Sequence, residues 1–478
     1  MALIAISLCL ICSSCEDFLE ESNPNRIPSE TYYRTQNDII YSANGAYVHL
    51  RAAGYYTNMW IYTDLRSGTT TVQDPGGGNG INYQFYNYAL QTENTEVKRH
   101  WTALYQCITR CNIVLEQIDA ISFDDEQQKE NIKAEMRFLR ALSYFHLVTQ
   151  WGDVPIVTKE LKTKDEIWEY TKREPKSRVY DLISEDLKFA TESRLPDIQS
   201  ARNTGRASKA AAYALWGKVL LTKASDTDFS NSRSSDLQDA KAHLMSAWSA
   251  RPFTSLSEIP FTDVFDKNLQ DNCPEILFQV MFDGRNSDLS SNYAFNFQPS
   301  AQTGLTSLRG GSGNNIPSSD IMNEFEAEDN IRKNASCGTS QNVNYTKKYI
   351  DLDDANGYGS NNWIVLRYAD IMLLIAEVKM HLGESDAITW VNLVRERVGL
   401  PASTIPDLRE AIVHERKVEL AFEGHSWHDL LRLYSKSELR TLQHAKNQNF
   451  SDKDFLMPIP YDEYKLNPEM MYQNSGYR

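Results

Sequence analysis

The chain has 478 residues, 41% of them hydrophobic, which is ample for a sizeable core and allows two or three domains. Its formal charge of −15 excludes nucleic acid as a partner, because gripping phosphates needs a basic surface. The charge suits a protein that has no need to dock on anionic lipid.

Leu3 to Ile11 is an apolar run too short to span a bilayer. It leads into Cys12-Ser13-Ser14-Cys15, small residues ending in a cysteine, which looks like a bacterial lipoprotein signal. Residues 1–14 are then the signal peptide and Cys15 the lipidated first residue of the mature chain. Cys12 stands where Leu is commoner and a basic n-region is missing, so a buried N-terminal helix is the alternative. With the leader removed, no other stretch is apolar enough to cross a membrane, and the protein is expected to be anchored rather than spanning. Besides Cys15, the mature chain keeps Cys107, Cys111, Cys273 and Cys337, whose spacing matches no zinc pattern. Cys107 and Cys111 lie one helical turn apart and read as small packed residues.

Phe18 to Pro28 is a polar tether. A first helix runs from Asn37 to Arg51, with Ile40, Ala43, Tyr47 and Leu50 on one side. Residues 55–88 then change character, with Trp60, a run of tyrosines and Gly76-Gly77-Gly78-Asn79-Gly80, and read as a long ordered loop. Helical phase returns with Trp101, Leu104, Ile108, Cys111 and Leu115. A short loop through Asp124-Asp125 joins it to a helix carrying Phe138, Ala141, Leu142, Phe145 and Val148 on one face. Met136, Leu139 and Leu147 make a second apolar side, so this helix is expected to be packed between neighbours. Trp151-Gly152-Asp153-Val154-Pro155 stops it.

Three more helices follow: one begun by Pro175, an Ala-rich one over 207–221, and one carrying Leu237 to Trp248. Residues 253–364 form a second irregular block with a short apolar strand at 276–282 and a tract rich in Asn, Ser, Gly and aromatics. Helices resume at Tyr368 up to Gly383, then from Asp386 to Val398 and from Asp407 to about Leu433. The fold class expected is all-α dominated: helix pairs of a tetratricopeptide-like kind with large irregular loops and a few short strands.

No catalytic constellation emerges. Gly76 to Gly80 lacks the Lys-Ser/Thr of a phosphate loop. Asp351-Leu352-Asp353-Asp354-Ala355-Asn356-Gly357 misplaces the residues of a calcium loop. His425 and His428, near Glu423 and Asp429, read as a polar cluster at a helix end. No enzyme activity, cofactor or metal is expected. The aromatic blocks carry the functional signal. A sugar ring has an apolar C–H face and a rim of hydroxyls, so flat aromatic side chains with Asn, Asp and Arg around them suit it. Candidates in the first block are Tyr55, Tyr56, Trp60, Asp64, Arg66, Asn82, Tyr83, Phe85 and Tyr86; in the second, Asn292, Tyr293, Asn296 and Arg309. The competing reading is that these aromatics pack the loops onto the helices.

Several segments in order resemble the SusD/RagB family of Bacteroidetes outer-membrane lipoproteins. They are Arg137-Phe138-Leu139-Arg140-Ala141 with Gly152-Asp153-Val154-Pro155, Trp101 with Leu104-Tyr105 and Asn112, and Arg206-Ala207-Ser208-Lys209-Ala210-Ala211. Towards the end come Leu366-Arg367-Tyr368-Ala369-Asp370, Glu415-Arg416-Lys417-Val418-Glu419 with Trp427, Pro458-Ile459-Pro460 and Gln473-Asn474-Ser475-Gly476-Tyr477. His425 and His428 depart from the pattern, standing where Arg and an aromatic are usual. The resemblance implies four tetratricopeptide-like helix pairs, with residues 15–250 and 251–478 packed as one globule. It implies a lipid anchor on the outer face of the outer membrane, where the protein would lie as a lid over a SusC-like TonB-dependent transporter and hold an oligosaccharide. Peptide import of the RagB kind is the alternative, and a surface glycosidase a weaker one. Arg367, Asp370, Glu377, Arg416 and Glu419, polar residues on apolar helices, are expected in paired, structural roles.

Overall fold

A computed structural model of the chain describes residues 32–73, 80–300, 311–340, 342–351 and 357–477. Cys15, the leader, Arg309, most of the glycine run and most of the acidic stretch at 351–357 lie outside the described residues. Among the described residues no helix is long and apolar enough to cross a membrane.

Helix α1 (Gln36–His49) is started by a reciprocal cap between Thr35 and Asp38. After α2 (Gly80–Tyr86) come α3 (Thr95–Gln117) and α4 (Glu126–Trp151), the latter capped by Asp125. Helix α4 ends at Gly152, whose φ of 76° is a left-handed stop that other residues rarely adopt. Both expected apolar sides of α4 are buried, Phe138, Leu142 and Phe145 on one and Met136, Leu139 and Leu147 on the other. Fully burying such side chains stabilises by about 1.5–3 kcal/mol each.

Helices α5 (Lys164–Tyr170), α6 (Lys176–Glu192), α7 (Lys209–Ser225) and α8 (Arg233–Ser249) follow. Neighbours stack in a continuous run: α3 on α4, α4 on α6, α6 on α7 and α7 on α8. The α7–α8 approach depends on Gly217, where a Cβ would lie 2.5 Å from the Leu244 side chain. The short helix α9 (Tyr293–Phe297) lies in the second irregular block, followed by α10 (Ser319–Glu324) and α11 (Asn330–Ser336). Helix α12 (Tyr368–His381) packs on α8 and on α13 (Ala387–Glu396) and α14 (Leu408–Glu419). The helix expected over 407–433 is in fact two. Phe422 and Gly424 take φ of 67° and 80°, which separates α14 from α15 (Ser426–Leu433). Helices α16 (Lys436–Lys446) and α17 (Tyr461–Leu466) complete the chain.

The strands among the described residues form two-stranded antiparallel sheets. β2 (Ile276–Val280) pairs with β6 (Trp363–Arg367), and β4 (Cys337–Ser340) with β5 (Val343–Thr346). β1 (Thr70–Thr71) pairs with β3 (Ile316–Pro317), setting Thr70 opposite Pro317. The two irregular blocks therefore meet each other. One hydrophobic core runs from Ile39 and Leu139 through Tyr293 and Trp363 to Met457 and Met471, joining both halves of the chain.

The polar residues on the C-terminal helices are paired as expected. Arg367 donates to Glu275 and Glu419, both at 2.7 Å, and to Glu423 at 2.6 Å. Glu419 also receives Arg332 and Arg397. Burial favours its neutral acid, but these arginines win and hold its carboxyl well below the usual range. Asp370 takes Lys218 at 3.0 Å and Arg416 at 2.8 Å, and Arg432 clasps Glu377 at 2.9 Å. Such networks are costly to break because each partner left behind is a buried charge. Cys107, Cys111, Cys273 and Cys337 are free and buried.

Candidate functional site

The first aromatic block is not a display loop over most of its length. Residues 53–57, kinked at Tyr55 where φ is −106° and ψ −112°, and the π-helical turn at 61–65 are pressed into the core. Tyr55 is fully buried, stacked on Tyr56 and bonded to the Ser143 hydroxyl at 3.0 Å. Tyr56 reaches His146 Nε2 at 2.9 Å. Trp60 is 1% exposed and meets Phe297 edge-on at 5.9 Å. Tyr293 is likewise internal and donates to the Tyr56 carbonyl at 3.1 Å, while Phe85 packs on Tyr62.

The charged candidates here are internal too. Asp64 accepts from the Gly424 N–H at 3.2 Å and the Ser426 hydroxyl at 2.9 Å, and burial pushes its carboxyl up to about 7. Arg66 donates to Gln150 Oε1 at 2.6 Å and the Asp454 carbonyl at 2.8 Å, with its guanidinium 4.4 Å over the Trp427 ring. Burial lowers Arg66 to about 10. Tyr55, Tyr56, Trp60, Asp64, Arg66, Phe85 and Tyr293 thus bind the blocks to the helices and to each other, and present no face to a ligand in this structure. Their abundance reflects core building, because large aromatics supply the most buried area per residue.

Tyr83 and Tyr86 are placed differently. They stand three residues apart on α2, hence on one side of it, with rings stacked at 5.3 Å and 26° between planes. Both are only half-buried, and Asn82 beside them is also partly open. Phe85, on the other side of α2, is the fully buried anchor. Asn94, which caps α3, donates to the Ile81 carbonyl at 3.1 Å and to Gln84 at 2.8 Å and fixes α2 against α3. From the far end of the chain, Asn447 donates to the Tyr86 carbonyl and to Asn87, both at 3.2 Å. Asn449 bonds the Asn87 carbonyl at 3.1 Å. Burial raises the Tyr86 phenol, and the charges of Tyr83 and Asp320 add to this; Asp320 is itself paired with Lys446 at 3.1 Å. The result is a stacked, half-open tyrosine pair with amides and one exposed ion pair beside it.

Asn292 and Asn296 are partly open on the second block, at the start of α9 and within it. The partly open candidates thus lie on two separate helices, Asn82, Tyr83 and Tyr86 on α2 and Asn292 and Asn296 at α9. The rim residues Asp320, Lys446, Asn447 and Asn449 lie more than two hundred residues from Tyr86, and no motif marks them.

Among the described residues no group of three or more His, Cys, Asp or Glu side chains is placed to hold a metal. His425 faces Lys218 at 3.0 Å, Glu423 is taken by Arg367 and Lys348, and Asp429 by Arg416 and Arg432.

Two family models match the chain. One, described as "Starch-binding associating with outer membrane", covers residues 17–221, and the other, described as "SusD family", covers residues 333–477. SusD-like protein P2 of Formosa agariphila is 28% identical over 99% of this chain and 98% of its own length. Among solved structures, a laminarin-binding SusD-like protein is similar over 93% of this chain and 100% of its own, at 24% identity and a TM-score of 0.77. Surface glycan-binding protein A of Bacteroides thetaiotaomicron, solved with laminarihexaose, is similar over 92% of this chain and 99% of its own, at 19% identity and a TM-score of 0.76. The two halves that the family models match are the halves that share one core here, and the chain belongs to the SusD/RagB family.

Proposed function

We propose that this protein captures glycan at the cell surface on the Tyr83–Tyr86 face and passes it on without cleaving it. The observation that carries the reading is the stacked, half-open tyrosine pair with amides at its edge. A pyranose lays its C–H face on such rings while amides and an ion pair exchange hydrogen bonds with its hydroxyls. Arg309, Asn292 and Asn296 are further candidate contacts from the second block. The glycan-binding relatives support the ligand class, and the family description supports association with the outer membrane. On this reading Cys15 carries the lipid anchor, and the partner is a SusC-like TonB-dependent transporter over which the protein closes.

Calorimetric titration of the mature protein with oligosaccharide and oligopeptide panels tests the proposal. The expected result is binding to at least one oligosaccharide, weakened about tenfold or more by Tyr83→Ala with Tyr86→Ala. No reducing ends should be released. Binding to peptides alone would favour the RagB-like alternative, and release of reducing ends would make the protein a glycosidase.

A further inference from the structure

A cavity of about 510 Å³ lies away from the tyrosine face, at the seam between the two halves of the chain, and shares none of that face's residues. Its volume is in the range of small-ligand sites, which favour such seams. One wall comes from the ends of α4 and α7 and the start of α6, the other from α15, α16 and the C-terminal tail.

The wall's polar atoms divide into those already used and those left over. Arg173 spends its donors on the carbonyls of Asp153, Tyr472 and Trp151 and on Asn474. Lys176 bridges Asp226 and Asp228, and Asp153 accepts from the Lys176 N–H at 2.8 Å and the Tyr472 hydroxyl at 2.6 Å. Asp153, Asp226 and Asp228 thus line the cavity with Arg173 and Lys176 already engaged, and Lys436 stands at its exposed edge over the Phe455 ring.

The leftover groups are of both kinds. Thr149, Thr222 and Ser225 each give their hydroxyl proton to a carbonyl of their own helix, at 2.8, 2.8 and 2.9 Å, which leaves oxygen lone pairs free to accept. Gln150 takes Arg66 on its Oε1, so its Nε2 is the donor to His428 Nε2 at 3.3 Å. The neutral His428 ring therefore carries its proton on Nδ1, which has no partner among the described residues. Arg432 uses Nε and Nη2 on Glu377 and Asp429, and its buried Nη1 has no partner there either. Tyr180, Leu431, Leu439 and Phe455 supply apolar wall.

Hydroxyls both donate and accept, so a polyhydroxylated ring with an apolar face matches this mixed set of free acceptors, free donors and apolar wall. We propose that the cavity is a second saccharide site, shaped for one or two neutral sugar rings and independent of the Tyr83–Tyr86 face. It would hold a chain end or a released short sugar while the tyrosine face holds the polymer.

The test is calorimetry on the mature protein with glucose, galactose, mannose, xylose, maltose and cellobiose, and with glucuronate and triglycine for comparison. At least one neutral sugar is expected to bind with a Kd below about 10 mM. Ser225→Phe, which fills the cavity, should weaken it about tenfold or more, and Thr222→Val, which keeps the shape but removes an acceptor, about fivefold. Tyr83→Ala with Tyr86→Ala should leave this small-sugar binding unchanged even as it abolishes polymer binding, which separates the two proposals. Should Ser225→Phe fail to fold, Thr222→Val carries the test. No binding by any neutral sugar, a preference for glucuronate or triglycine, unchanged binding in Thr222→Val, or loss in the double tyrosine variant would each overturn the inference.

Discussion

The Trp60 indole shows how little residue type alone says about an aromatic's exposure. It is 1% exposed, edge-on to Phe297, at the point where the two irregular blocks touch. Trp60→Ala is expected to lower stability by about 3–5 kcal/mol in urea denaturation, and to affect glycan capture only through the folded fraction. Tyr83 is the opposite case. Half-open and stacked on Tyr86, it should tolerate Tyr83→Ala at a stability cost below about 1 kcal/mol while glycan binding falls. The contrast between the two variants distinguishes a core aromatic from a displayed one. Glu419 sits between Arg332, Arg367 and Arg397 with no exposure. Glu419→Gln leaves three buried cations short of a charge and is expected to cost about 3–5 kcal/mol, read from the same denaturation curves.

At the scale of elements, periodicity located the helices well and their ends less well. Helix α4 was legible because two apolar sides repeat at helical spacing and Gly152 closes it, but its polar first turns from Glu126 carry no hydrophobic signal. The 407–433 stretch reads as one helix because the apolar phase continues across Phe422 and Gly424, and only backbone angles reveal the break. Gly424 has φ 80°, and a Cβ there would stand 3.0 Å from Trp363 and 3.2 Å from Met59. Gly424→Ala is therefore expected to destabilise by about 1–2 kcal/mol or more, read from urea denaturation. The segment 53–65 is illegible for a different reason: a kink at Tyr55 and π-helical spacing over 61–65 produce neither a 3.6 nor a 2 repeat, so a packed segment reads as a loop.

Across the whole molecule, the contacts that hold the first aromatic block in place join distant parts of the chain. Arg66 meets Asp454, Asp64 meets Ser426, and Asn447 holds Tyr86. One sequence offers no means of pairing such residues, so their types are legible in it and their partners are not. The same long-range packing encloses several histidines. Burial holds His100 and His428 down to about 3 and His425 to about 4. Since their folded pKa values lie below the unfolded value of about 6.5, the neutral form is the one folding favours. Their contribution is fully present above about pH 6.5 and is lost as pH falls toward the folded values, by up to about 1.4 kcal/mol per pH unit for each. Asp64, held up to about 7, works in the opposite sense over this range, but the three histidines outweigh it, so urea midpoints should fall from pH 6.5 to 4.5; a level profile down to pH 4.5 would contradict this reading.

The proposed function depends on the half-open Tyr83–Tyr86 pair being the surface that takes glycan. Native affinity electrophoresis in gels containing soluble polysaccharides, comparing the wild-type protein with the Tyr83→Ala, Tyr86→Ala variant, addresses it most directly. The wild type should be retarded by at least one polysaccharide and the double variant should run as it does in an empty gel. Equal retardation of the two proteins would contradict the account, as would unimpeded migration of the wild type through every polysaccharide.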